Sequence, residues 1–159
     1  MKRIYVFLTM LCSLFMAASC ILDKNSEDKE YEMEVGQTIP DFTVTMNDGT
    51  VVTGADLRKG NALIMFFHTY CPDCQGTLPS VQKIYDEYKS KGMKFALISR
   101  SQLDGPISEY WKAQGYTMPY SAQPTREIYA LFASSRVPRV YICQDGVVKS
   151  FYRDDPIPT

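Results

Sequence analysis

Hydrophobic and polar positions change their period several times along the chain. Behind the basic Met1-Lys2-Arg3, residues Ile4 to Ala18 are almost wholly apolar. At about 15 residues this run is short for a membrane-spanning helix, which needs about 20. Small residues follow, Ala17-Ala18-Ser19, and then Cys20. That is the three-part order of a secretory signal. Ile21 to Glu34 holds six acids, two lysines and few apolar residues, and reads as a disordered tether.

Regular periodicity begins near Pro40. Pro40 to Met46 alternates, Asn47-Asp48-Gly49 turns the chain, and Thr50 to Thr53 returns it, which predicts a hairpin. Ala55 to Lys59 fits one helical turn closed by Gly60. Ala62 to Phe67 is a continuous apolar run, the pattern of a strand buried on both faces. Leu78, Val81, Tyr85 and Tyr88 follow helical spacing, so a helix is predicted over Pro72 to Lys89, ended by Gly92. Met93 to Ser99 reads as a second buried strand. Ile107 to Gln114 and Thr125 to Ala133 read as helices. Arg139 to Cys143, the turn Asp145-Gly146 and Val147 to Tyr152 make a closing hairpin. Strands alternating with helices imply an α/β layered fold.

The chain of 159 residues, 45% hydrophobic and 22% charged, has ordinary globular usage, so its length implies one folded domain. We divide it into a signal peptide (1–19), Cys20 with the acidic tether (20–34) and a globular domain (35–159). The formal net charge of −1 leaves no electrostatic footprint for nucleic acid. There is a single histidine, His68, which excludes a multi-histidine metal site. A cysteine directly after small residues resembles a bacterial lipobox, in which Cys20 is lipidated and becomes the mature N-terminus. Cys12 is lost with the signal.

Two of the five cysteines carry the chemistry. Cys71-Pro72-Asp73-Cys74 is a C-x-x-C pair between a predicted buried strand and a predicted helix, the context of a redox dithiol. Cys71 falls at the N-cap and Pro72 at the first helical position, where a missing N–H costs nothing. Orphan backbone N–H groups and the helix dipole favour a thiolate on Cys71. Cys74, one turn in, is shielded and placed to resolve a mixed disulfide. A structural zinc site needs four ligands, and one C-x-x-C with distant Cys143 and His68 does not supply them. An inert structural disulfide is the other alternative. Cys143 reads as a buried inert thiol, and Trp111 as a core residue.

Val35 to Phe42, the hairpin, Asp56 to Gly60, the buried strand and the C-x-x-C together resemble thioredoxin-fold thiol–disulfide oxidoreductases of the TlpA/ResA (redoxin) type. Pro79, eight residues after Cys71, matches that family's helix proline, and Asp145-Gly146 its last turn. Val137-Pro138 matches its cis-proline, which implies substrate pairing along the Val137 backbone. The resemblance covers Val35 to Tyr152 and implies a thioredoxin-like three-layer sandwich with an N-terminal β-hairpin. A C-terminal helix is expected to be missing, because Pro156 and Pro158 preclude it.

Several positions depart from the family pattern. Pro precedes Asp between the cysteines, whereas the family usually places Pro immediately before the second cysteine. Met65 and Thr77 stand where relatives carry a buried acid, and His68 stands where an aromatic is expected. His68 can tune Cys71 or relay a proton, or simply fill space. Asp73 can substitute for the missing acid, or be a first-turn carboxylate favoured by the helix dipole. Its charge opposes a neighbouring thiolate. Tyr70 is expected to pack beside the motif.

The expectation is a thiol–disulfide oxidoreductase, reductase in direction, with no cofactor and no metal. It is expected to be lipid-anchored in the cell envelope, facing the periplasm or the surface. Its partners would be envelope protein thiols and disulfides, a membrane or thioredoxin-like electron donor, and the membrane itself through the anchor, with no nucleic acid. The alternatives are a peroxiredoxin-like thiol peroxidase and a non-catalytic thioredoxin-fold binding module. Such peroxidases place Thr three residues before the reactive cysteine, where this chain has His68.

Overall fold

The computed structural model describes residues 31–153 and Ile157. The expected signal peptide, Cys20 and most of the tether lie outside the described residues, as does most of the Pro-containing tail.

The Asp48 carboxylate accepts hydrogen bonds from Thr50 N and Oγ1 at 2.9 and 2.7 Å, and so sets the turn between β1 (Thr43–Thr45) and β2 (Val51–Thr53). Thr53 then caps α1 (Gly54–Leu57) in a capping box with Asp56. Gly54 is required here, because a Cβ would sit 2.2 Å from the Pro40 carbonyl oxygen. Next come β3 (Asn61–Phe67), α2 (Pro72–Tyr88) and a short 3-10 turn, Lys89–Lys91, that ends at Gly92 in the left-handed region. The remaining elements are β4 (Lys94–Ser99), α3 (Asp104–Gln114), β5 (Tyr120–Ser121), α4 (Glu127–Ala130), β6 (Arg139–Gln144) and β7 (Val147–Tyr152).

The main sheet has the order β5-β4-β3-β6-β7. Strands β3, β4 and β5 are parallel, and β6 and β7 are antiparallel to their neighbours. Central β3 is buried on both faces, as its unbroken apolar run predicts. Leu63, Met65 and Phe67 pack with Leu78 and Val81 of α2 and with Ile107 and Trp111 of α3. Ala62, Ile64 and Phe66 pack on the other side with Phe42, Val44, Met46, Tyr129 and Phe132. The result is a helix layer, a sheet, and a second layer of hairpin and short helices. Trp111 is buried and donates from Nε1 to the Met118 carbonyl at 2.9 Å. Among the described residues no helix follows β7, and Ile157 is buried against the helix-side core.

The structure differs from the sequence reading in four places. Helix α3 starts at Asp104, three residues before Ile107, because Pro106 is tolerated in a first turn. β5 is two residues long, too short for any periodic signal. Residues 31–34, expected within the tether, belong to the fold: Met33 is 2% exposed, and Met33 N donates to the Phe132 carbonyl at 2.7 Å. Tyr31 and Ser134 exchange backbone and hydroxyl hydrogen bonds, and Glu32 bridges Ala133. The helix predicted over Thr125 to Ala133 is shorter, Glu127–Ala130, and beyond it the Phe132 carbonyl and the Ser134 N–H bond the incoming N-terminal segment.

The stretch 36–47 runs along the sheet as well. Gly36 N and Gln37 O bond the Val148 backbone, and Thr38 bridges Val147. At the opposite side Asn47 bonds both backbone groups of Tyr120, donating from N to its carbonyl at 2.7 Å and accepting at Oδ1 from its N–H at 2.9 Å.

Candidate active site

Strand β3 ends at Phe67, and four residues carry the chain to the N-terminus of α2. Cys71 occupies the N-cap in an extended conformation with Pro72 at the first helical position, as the sequence predicts. Its side chain makes no capping hydrogen bond. The thiol is half-buried and donates to the Val137 carbonyl at 3.4 Å. Cys74 is fully buried beneath it, packed with Phe67, Leu78 and Trp111. Burial pushes the Cys74 thiol far above the ordinary thiol range; the neighbouring Cys71 and Asp73 act in the same direction, and a hydrogen bond from the His68 backbone opposes them. The two thiols are free and interact directly. One sulfur can therefore meet a partner and the other cannot.

The Val137–Pro138 peptide is cis, as the resemblance implies, and Pro138 is buried. The structure thus brings Cys71, Cys74, Val137 and Pro138 together. His68 lies in the loop before Cys71, where its ring stands 5.5 Å from that of Tyr70. Its Nδ1 accepts from Tyr70 N at 3.3 Å, which places the ring proton on Nε2. Partial burial and then the Arg100 charge hold its pKa below the usual imidazole value. At neutral pH the ring is uncharged, so it supplies no cation to a thiolate. Asp73 sits in the first turn of α2, where its carbonyl accepts from Thr77 Oγ1 at 2.8 Å. Met65 and Thr77 are buried and offer no proton acceptor at the family's acid positions. Tyr70, expected to pack beside the motif, is instead 72% exposed, with its ring near that of His68. Cys143 is buried on β6, and burial pushes its thiol up to about 12. Among the described residues no group of three or more His, Cys, Asp or Glu side chains converges as metal ligands.

Two sets of residues escaped the sequence reading. Gln102, 6% exposed, accepts from Thr69 N at 3.0 Å and donates to Thr69 Oγ1 at 2.6 Å. Gln75 Nε2 donates to the Thr69 carbonyl at 2.7 Å. This amide clamp fixes the turn that delivers Cys71. On the other side of the sulfur, Arg139 lies directly after Pro138 and is 1% exposed. It pairs through Nε with Glu32, donates from Nη1 to the Pro138 carbonyl and from Nη2 to Ser135 Oγ, the last two at 3.3 Å. Arg100 donates to the Ser135 carbonyl at 2.6 Å and lies over the Tyr129 ring. Tyr129 donates to the Arg136 carbonyl at 2.7 Å.

Comparison with known proteins agrees with this geometry. The model of the AhpC/TSA family matches residues 35–151. The chain is 24% identical over 144 residues to the thiol-disulfide oxidoreductase ResA of Bacillus thuringiensis subsp. konkukian, covering 90% of this chain and 82% of that protein. The ResA protein of Oceanobacillus iheyensis is 23% identical, with 86% and 74% covered. A solution structure of a candidate protein disulfide isomerase from Bacteroides thetaiotaomicron superposes with a TM-score of 0.73 at 26% identity, covering 78% of this chain and 81% of that one. A thiol:disulfide interchange protein of the thioredoxin family from Chlorobium tepidum superposes with a TM-score of 0.66 at 22% identity, covering 79% and 90%.

Proposed function

The chain belongs to the AhpC/TSA family, and from that premise we propose that it is a thiol–disulfide oxidoreductase acting on protein partners through Cys71 and Cys74. The observation that carries this reading is the inequality of the two thiols: Cys71 is half-buried at a helix N-cap, 3.4 Å from the Val137 carbonyl, and Cys74 is sealed beneath it.

In the reductive direction, the Cys71 thiolate attacks one sulfur of a partner disulfide. The partner S–S bond breaks, a mixed disulfide forms, and the first partner sulfur leaves as a thiolate that takes a proton from water. Cys74 then loses its proton and attacks the Cys71 sulfur. The mixed disulfide breaks, the second partner thiol leaves, and a Cys71–Cys74 disulfide holds the two electrons' worth of oxidation. The partner strand lies along the Val137 backbone, which supports pairing without selecting a side-chain sequence.

Reduction of insulin disulfides tests the reading. Unmodified protein turns over with dithiothreitol, Cys71→Ser does not, and Cys74→Ser accumulates a mixed disulfide. Faster alkylation of Cys74 than of Cys71 in the reduced protein overturns the assignment. A reduction potential near about −270 mV identifies a reductant, and one near about −120 mV an oxidant. Consumption of peroxide with no insulin turnover selects the peroxidase reading instead, and inactivity in both assays the binding module.

We also propose that Cys20 is lipidated and holds the domain at the cell envelope. The support is the order of basic, apolar and small residues before it. Palmitate labelling that persists in Cys20→Ser overturns this.

A further inference from the structure

The carbonyl that meets the nucleophile belongs to a loop with no regular structure of its own. Residues 131–138 join α4 to β6, and the part nearest the nucleophile, 134–138, is held by side chains from elsewhere. The key bracket is the Arg139 guanidinium. It reaches the Pro138 carbonyl, Ser135 Oγ and the Glu32 carboxylate with three different nitrogens. A planar fork used in this way fixes direction as well as distance. Glu32 is the acid in contact with that guanidinium, and its second oxygen meets Arg153 at 3.2 Å. Glu32 is held in turn by its flanks, with Tyr31 bonded to Ser134 and Met33 packed into the core.

We propose that residues 31–33 are a strap that sets the partner-binding loop, and that Glu32 and Arg139 are positioning residues for partner exchange. The inference rests on the oxidoreductase reading. The chain of contacts runs from Glu32 through the Arg139 fork to the Pro138 carbonyl, one peptide from the Val137 carbonyl that faces the Cys71 sulfur. A buried ion pair is weak evidence for stability, since apolar residues of similar volume commonly replace one without loss. Its direct attachment to the loop that contacts Cys71 is what gives it a positional role. Glu32 touches neither the thiols nor any reacting atom, so it acts through geometry alone.

Two substrates separate positioning from mere stability. Insulin must pair with the Val137 edge, whereas the small disulfide dithiobis-nitrobenzoate needs only access to Cys71. Glu32→Gln is expected to raise the KM for insulin on the order of tenfold, through the loss of the buried ion contact with Arg139, with the small disulfide's rate unchanged. Should Glu32→Gln fold poorly, the double variant Glu32→Met with Arg139→Met keeps the volume buried and still lacks the fork. It is expected to melt near the unmodified protein and to retain the raised insulin KM. A double variant with unmodified insulin KM, or a parallel loss on both substrates, overturns the proposal. Hydrogen exchange of the amides of 134–139 provides a readout independent of activity. If the unmodified protein reduces neither substrate, the functional reading fails, while faster exchange in Glu32→Gln still supports the strap and unchanged exchange overturns it.

Discussion

The loop before Cys71 and the loop before Pro138 face one another across the nucleophilic sulfur, and they are held by different chemistry. The first is clamped by uncharged groups, Gln102 and Gln75 on the backbone and hydroxyl of Thr69. The second is clamped by the Arg139 and Arg100 guanidiniums, with Glu32 paired to Arg139. Uncharged bonds can be satisfied in the interior at small desolvation cost, so their loss leaves one orphan polar group. A buried guanidinium is tolerated only while its carboxylate is present. The two sides of one site therefore carry unequal vulnerability, and the charged side depends on a segment 107 residues away in sequence, from Glu32 to Arg139.

The harshest way to break this asymmetry is to strand the charge. Glu32→Ala leaves Arg139 buried and unpaired, and is expected to cost about 3–5 kcal/mol in urea unfolding. A cost below about 1 kcal/mol makes the two loops equivalent in demand. Gln102→Ala is expected to cost less, about 1–3 kcal/mol, as the Thr69 N–H loses its acceptor. Iodoacetamide labelling of Cys71 should change in the same variant, because the turn that presents the sulfur is released. Tyr129→Phe removes the hydroxyl that donates to the Arg136 carbonyl and also meets Arg100, and about 1 kcal/mol is expected. An effect as large as that of Glu32→Ala shows that the hydroxyl, and not the charge, holds the loop.

The smallest effect is one of pH. His68 is a titrating side chain in the uncharged loop, and its folded pKa lies below the unfolded value near 6.5. The unfolded chain then binds more protons between the two values. Its contribution is complete above about pH 6.5 and is lost as pH falls through the lowered folded value. His68→Gln should flatten that slope in thermal melts as pH falls below about 6.5, and a slope that persists unchanged assigns it to another group.

The dithiol, its helix cap and the cis-proline could be read from the sequence because each is a local pattern with a known place in a fold. The clamps could not. Gln102 and Thr69 are separated by 33 residues, and a buried glutamine has no signature in a sequence. Glu32 was hidden by its neighbours: among six acids in Ile21 to Glu34, composition cannot single out the one that finds a buried arginine. Met33 is similarly one apolar residue in a polar run. The shortened α4 escaped for the same reason, since helical spacing persists to Ala133 while residues 132–134 meet the distant segment 31–33.

The backbone bonds of residues 36–47 have a consequence for solubility. The outer strands of an open sheet present unpaired N–H and C=O groups that template addition of another chain. Here Gly36 to Thr38 occupies the start of β7, and Asn47 occupies both groups of Tyr120 on β5. One continuous stretch thus blunts both margins of the sheet, although they are the opposite edges of five strands. A proteolytic nick between Thr38 and Asn47 that let either end detach would convert a capped sheet into a polymerisable one. Growth of light scattering after limited proteolysis, slower for nicks elsewhere, is the signature to seek.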